Sequence, residues 1–229
     1  MTDERAVLVM AKAPRAGLAK TRLAPMLGHD RCASLQAALI TRAATTATAV
    51  TPGATFLAFD PPDARDELAG LLPAGVELLP QRGGHLGERM AAAVTDVYAV
   101  HQGLLAVVGT DIPLLGARHL RGTFAELATG ADVVLGPAYD GGYYLAGMTR
   151  PVPSLFDIDP ELWGGPDVLA ATVARVEANG LRWHLLEVLR DLDTPEDAVT
   201  LAAEPTLPSE LLALLGGPVA VSPGESSRG

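Results

Sequence analysis

The chain reads as an α/β protein: a single sandwich with a mostly parallel central sheet, helices on both faces and a small antiparallel element. Three observations lead there. Short β-rich runs alternate with longer Ala/Leu helical patterns, the order that a parallel sheet wound with helices produces. Some of those runs, Leu104-Leu105-Ala106-Val107-Val108 above all, are apolar without alternation, as strands buried on both faces are. The run beginning at Tyr143 follows Asp132–Leu135 too closely for a crossover helix, so an antiparallel pairing belongs there.

In order, strands are expected at Ala6–Ala11, Thr55–Phe59, Val76–Leu79, Leu104–Gly109, Asp132–Leu135, Tyr143–Ala146 and Trp183–Val188. Helices are expected at Asp30–Val50, Pro62–Leu71, Leu86–His101, Ala117–Ala128, Pro166–Asn179 and Pro195–Ala203, with a weaker one at Ser209–Leu215. Thr194 reads as an N-cap with Pro195 in the first turn and acids behind it. Residues 1–215 are expected to form one domain, and the Gly/Pro/Ser-rich residues 216–229 a disordered tail.

Composition narrows the function classes. A net charge of -10 argues against a nucleic-acid surface, which would carry a basic stripe. Cys32 is the single cysteine, so neither an internal disulfide nor a cysteine-based zinc site is expected. Thr2-Asp3-Glu4-Arg5 is too acidic for a signal peptide, and no run approaches a membrane span. The expectation is a cytoplasmic protein without nucleic-acid or membrane partners. Its oligomeric state stays open, a homodimer included.

Three polar clusters fall after strand-like runs, where open α/β sheets bind ligands. The first follows Ala6–Ala11. It holds both lysines of the chain, Lys12 and Lys20, together with Arg15 and Arg22, in a turn shaped by Pro14 and Gly17. Such a concentration of cations on an acidic protein suggests a phosphate chain, with Lys20 a point charge and Arg22 a bidentate fork. The glycine spacing of a P-loop is missing. A solvated basic loop is the competing reading.

The second cluster is Gly109-Thr110-Asp111-Ile112-Pro113, where an apolar strand ends in a carboxylate. Asp111 is a candidate ligand for Mg²⁺ or Mn²⁺, whose remaining positions phosphate oxygens would fill; a turn-forming aspartate is the plainer alternative. The third is Asp140-Gly141-Gly142. Its glycines allow close backbone approach to a ligand, and Asp140 is a candidate base or hydroxyl partner, although Asp-Gly is also a strong hairpin signal. Weaker candidates are Asp191 or Asp193 as metal ligands. Gly87 and Arg89, in the glycine-rich start of a helix, are weaker candidates for the nucleotide or its sugar, and Trp163-Gly164-Gly165 for an acceptor cover.

Taken in order, five stretches resemble one family. They are Lys12-Ala13-Pro14 with Gly17 and Lys20-Thr21-Arg22-Leu23; Leu86-Gly87-Glu88-Arg89-Met90; Gly109-Thr110-Asp111-Ile112-Pro113; Gly136-Pro137-Ala138-Tyr139-Asp140-Gly141-Gly142-Tyr143-Tyr144-Leu145; and Asp191-Leu192-Asp193-Thr194-Pro195-Glu196-Asp197. The family is the DUF2064 group, rSAM/selenodomain-associated transferase 1, within the GT-A-like nucleotide-diphospho-sugar transferases. His85 and Gly165 depart from its pattern, at positions where an acid and a hydroxyl residue are common.

The resemblance implies a Rossmann-like GT-A sandwich, a nucleotide-activated donor and a divalent metal at Asp111. On it rests the expectation of a metal-dependent glycosyltransferase acting from a nucleotide-diphosphate sugar onto a small-molecule acceptor. The first motif is also similar to that of guanylyltransferases acting on a phosphorylated three-carbon acid, so nucleotidyl transfer from an NTP with pyrophosphate release stands as the alternative. A non-catalytic nucleotide-binding protein is the reading from another class. For the enzyme, the assignments are Asp111, Asp140 and Lys20 as catalytic; Lys12, Pro14, Gly17, Lys20, Arg22, Gly87, Arg89, Gly141 and Gly142 as nucleotide-binding; and Asp111 with Asp193 as metal ligands.

Overall fold

The computed structural model describes residues 5–216; the expected tail, apart from Gly216, lies outside the described residues. Seven strands form one sheet: β1 (Arg5–Lys12), β2 (Thr55–Asp60), β3 (Val76–Pro80), β4 (Leu104–Gly109), β5 (Val133–Pro137), β6 (Tyr143–Met148) and β7 (Trp183–Leu185). Their order is β3-β2-β1-β4-β6-β5-β7. Every neighbouring pair is parallel except the two that involve β6. The antiparallel strand is therefore no peripheral ornament. It is inserted between β4 and β5, reached by a tight hairpin from β5.

The helices are α1 (Ala24–Leu27), α2 (His29–Val50), α3 (Arg65–Ala69), α4 (Leu86–Val100), α5 (Ala117–Thr129), α6 (Val168–Ala178), α7 (Pro195–Ala202) and α8 (Ser209–Leu214). None of them is long and apolar enough to cross a membrane. Two expectations are corrected here. The stretch Pro62–Leu71 is not one helix but a 3-10 turn (Pro62–Ala64) followed by α3, and the last strand ends at Leu185. β7 is an edge strand three residues long with all three residues exposed, so no second neighbour extends its pairing.

β1 shows why the apolar runs lack alternation. Val7, Val9 and Ala11 face a core closed by α2, α3 and α5, whereas Ala6 and Leu8 face one closed by α4 and α6. Both faces are covered, so both sets must be apolar. The far side of α2 carries Cys32, Leu35 and Leu39 into a third cluster with α7 and α8. α7 starts as the sequence predicts: the Thr194 hydroxyl accepts the Asp197 N–H at 3.2 Å, and the Asp197 carboxylate accepts the Thr194 N–H at 3.0 Å.

Register brings the strand ends to one level. Lys12 lies opposite Asp60 in β2, and Met10 opposite Gly109 in β4. The chain therefore leaves β1 and β4 side by side, where the strand order reverses.

Candidate active site

At that reversal lies a cavity of ≈ 520 Å³, within the range of small-molecule sites. Lys12, Lys20 and Arg22 line it from the β1 side and Asp111 from the end of β4. Asp140 and Gly142 line it from the β5–β6 hairpin, and Asp191 and Asp193 from the segment before α7. Arg89 is also in its wall. Pro14, Gly17, Gly87 and Gly141 are not. Arg15 turns away and pairs with Asp63 at 3.0 Å and Glu67 at 2.9 Å.

At the centre is Lys20. The sequence assigns Lys20 to a phosphate chain and Asp111 to a metal ion, as separate side chains of one site. Instead they touch. The ammonium donates to Asp111, to the Leu192 carbonyl at 2.8 Å and to Asp193 at 2.9 Å, which uses its three N–H donors. Only 3% of the Lys20 side chain is exposed, against 49% for Asp111 and 37% for Asp193. The lysine lies beneath the two carboxylates and leaves their outer faces to the cavity. Burial works against its charge, but Asp111 and Asp193 outweigh burial and hold its pKa above the ordinary lysine value.

The backbone is bent to this purpose. Among the described residues Lys20 alone, glycines aside, has a positive φ, 51°, as the chain enters the 3-10 turn Thr21–Leu23. A non-glycine residue in the left-handed region costs on the order of 1 kcal/mol, and the three oxygens around the ammonium offset it. Leu192 N–H in turn donates to the Asp111 carbonyl at 2.9 Å, which ties the 191–193 segment to the end of β4.

The β5–β6 hairpin fixes the opposite wall. Asp140 accepts the Gly142 N–H at 2.8 Å, an Asx turn, so the hairpin reading and a cavity-facing Asp140 coexist. Gly141 has φ 89°, and a Cβ there would stand 2.2 Å from the Pro166 carbonyl oxygen. Its own carbonyl accepts the Leu169 N–H at 3.0 Å. The contact locks the hairpin to the segment that leads into α6. Gly141→Ala combines overpacking with a forbidden φ and should cost about 3 kcal/mol, read as a lower denaturant midpoint with unchanged slope. Gly87 serves likewise: a Cβ there would meet the Phe156 carbonyl at 2.4 Å and the Trp163 indole at 2.8 Å, so it seats Trp163 rather than lining the cavity.

Asp191 is 8% exposed, and its side chain hydrogen-bonds no other described residue. Burial, with the neighbouring charge of Asp140 next, pushes its carboxyl up to about 6 from 3.8. A carboxyl raised in the folded state contributes stability that is complete below the unfolded value and is lost as pH rises through about 6. Asp191→Asn should therefore flatten the stability profile between about pH 4 and 6, and above it should exceed the parent by on the order of 2 kcal/mol in paired denaturation curves.

The supporting roles of three residues were not legible in the sequence. Gln36 is a buried polar residue on the apolar side of α2; its amide donates to the Lys12 carbonyl at 3.1 Å and to the Thr110 hydroxyl at 3.2 Å, bracing the ends of β1 and β4. Gln81 does the same for β1 and β2 through the carbonyls of Ala11 and Ala58. Asp60 pairs with Arg89 at 3.0 Å. A polar residue within the apolar stripe of α2 is the one signal that could have flagged Gln36.

The site fits a divalent ion of the magnesium kind. Among the described residues no group of three or more His, Cys, Asp or Glu side chains forms a metal cage. Mg²⁺ and Mn²⁺ at phosphate sites need only one or two carboxylates, with phosphate and water oxygens for the rest. Asp111 and Asp193 converge on one ammonium, and each keeps its second oxygen free of hydrogen bonds among the described residues.

The fold is the Rossmann-like GT-A sandwich, with its cleft at the strand switch. The chain belongs to the family described as "Uncharacterized protein conserved in bacteria (DUF2064)", whose sequence model matches residues 43–160. No curated protein matches its sequence. Among solved structures, it is similar to a Desulfovibrio desulfuricans G20 protein provisionally named a nucleotide-diphospho-sugar transferase: 27% identity, TM-score 0.84, covering 93% of this chain and 94% of that one. The 4-diphosphocytidyl-2C-methyl-D-erythritol synthase of Anaerococcus prevotii DSM 20548 shares the fold at 9% identity and TM-score 0.58, over 94% and 98%. So does Rv0371c of Mycobacterium tuberculosis H37Rv, solved with manganese, at 16% identity and TM-score 0.52, over 86% and 97%.

Proposed function

We propose that residues 1–215 act as one nucleotide-dependent transferase unit, a glycosyltransferase that uses a nucleotide-diphosphate sugar and Mg²⁺ or Mn²⁺. The observation that carries this reading is the pair of carboxylates, Asp111 and Asp193, held from behind by Lys20 and half open to a cavity whose β1 side carries Lys12 and Arg22. Lys20 and its two partners sum to one negative charge, a setting that welcomes a divalent cation and, beyond it, phosphate. A bound ion would neutralise the charge that develops on the departing diphosphate.

The residues then have distinct tasks. Lys12 and Arg22, cavity-lining cations without a partner among the described residues, bind the diphosphate. Asp111 and Asp193 hold the ion, and Lys20 positions both. Asp140 orients the acceptor hydroxyl and takes its proton. The acceptor oxygen bonds to the anomeric carbon, the bond from that carbon to the diphosphate oxygen breaks, and the diphosphate leaves with the electron pair. The likeness to the Desulfovibrio protein supports a nucleotide-sugar donor.

Nucleotidyl transfer would use the same cations for a triphosphate. The experiment is incubation with a panel of nucleotide sugars and of NTPs, Mn²⁺ and small hydroxy acceptors. Release of a nucleoside diphosphate is expected; pyrophosphate release would select nucleotidyl transfer instead. A protein that only binds nucleotide would release neither, and Asp111→Ala would leave its nucleotide affinity unchanged.

A further inference from the structure

The charge in the cavity is divided between its two sides. Arg89 is paired with Asp60, and Lys20 with Asp111 and Asp193. Among the described residues lining the cavity, the cations left without a carboxylate are Lys12 and Arg22, at the end of β1 and just beyond it. The carboxylates left without a cation are Asp140 and Asp191, at the other side. Asp191 is buried in the fold, whereas Asp140 stands exposed at the tip of the hairpin with its carboxylate held in place. Asp191 is 92% buried (8% exposed) with no side-chain partner, and its segment pairs with the hairpin through Ala138 and Leu189. Asp140 is fixed by the Gly142 N–H and by the locked Gly141. Beside them, Tyr143 and Trp163 pack edge to face at 6.4 Å and line the cavity.

We propose that this half of the cavity takes an acceptor rich in hydroxyl groups and free of phosphate or carboxylate: a neutral or amine-bearing polyol. The inference rests on the transferase reading and names the acceptor class for it. Carboxylates accept hydrogen bonds from hydroxyl or ammonium groups, and an aromatic wall takes the C–H face of a ring. An anionic acceptor would instead meet two uncompensated negative charges in a partly enclosed space, and the free cations lie on the side given to the diphosphate.

The chain has two tryptophans. Replacing the exposed edge residue, Trp183→Phe, leaves Trp163 as the single indole reporter in the acceptor half. Emission is followed while glucose, glucosamine and myo-inositol, and the phosphate ester of each, are added with and without Mn²⁺ and the nucleoside diphosphates. At least one unphosphorylated compound is expected to shift the emission, with its phosphate ester weaker by about a hundredfold. Asp191→Asn is expected to narrow that gap to about tenfold, and Asp140→Asn provides the same test if the first variant fails to fold.

Phosphate esters that bind as well as or better than their parents overturn the inference. So does silence from every unphosphorylated compound. Loss of the transferase reading would show separately, as absence of nucleotide binding in calorimetry without any acceptor.

Discussion

Asp111→Ala is expected to abolish turnover, lowering kcat/KM by about a thousandfold or more, because under the proposed function it removes one of the two carboxylates that would hold a divalent ion at the leaving group. The same change tells on the fold. Lys20 is almost wholly buried and would keep only Asp193 and the Leu192 carbonyl. A buried charge stripped of a partner costs 3–5 kcal/mol in full burial; here the surviving partners and the half-exposed site bring the figure to about 2 kcal/mol. Asp111→Asn separates the two effects. It keeps a hydrogen-bond acceptor for the ammonium, so the denaturation midpoint should stay near that of the parent while turnover is still lost.

Lys20→Met should make the protein lean on divalent metal for its stability. Without the ammonium, Asp111 and Asp193 repel, and their shared socket loses about 2 kcal/mol. A divalent ion supplies the missing charge. Mn²⁺ should therefore raise the melting temperature of Lys20→Met more than that of the parent, and chelation should lower it. Turnover falls all the same, by about ten- to a hundredfold, because the carboxylates are no longer held in place from behind. Lys20→Arg should not rescue. Three oxygens converge on one compact ammonium in a space with 3% exposure, and a planar guanidinium needs more room. Equal melting shifts with Mn²⁺ in parent and variant would show that Lys20 does not substitute for an ion's charge.

The architecture could be read from the chain because both faces of the strands are covered, and the resulting apolar runs are visible without any long-range information. The place of β6 was not visible in that way. Insertion between β4 and β5 depends on pairings between strands far apart in sequence, and the close spacing after Asp132–Leu135 shows only that one antiparallel pairing exists. Lys20, Asp111, Asp140 and Asp193 stood out as polar residues at turns after apolar runs, and the cavity brings all four together.

Orientation stayed hidden. The direction of the Lys20 ammonium follows from a left-handed backbone at one residue, and Arg15 is drawn off by acids about fifty positions away, as its partners Asp63 and Glu67 show. The glycines expected to meet a nucleotide divide for a similar reason. Gly142 lines the cavity, whereas Gly141 and Gly87 are required by the Pro166 and Phe156 carbonyls, neighbours that sequence spacing does not reveal.

Calorimetric titration of nucleoside diphosphates into the parent protein and Asp111→Asn, each with Mn²⁺ and with chelator, tests the central claim most directly. At least one nucleotide should bind the parent with Mn²⁺, and the affinity should fall by about a hundredfold both on chelation and in Asp111→Asn. Nucleotide binding that ignores both the metal and the substitution, or no binding across the panel by a folded protein, would contradict it.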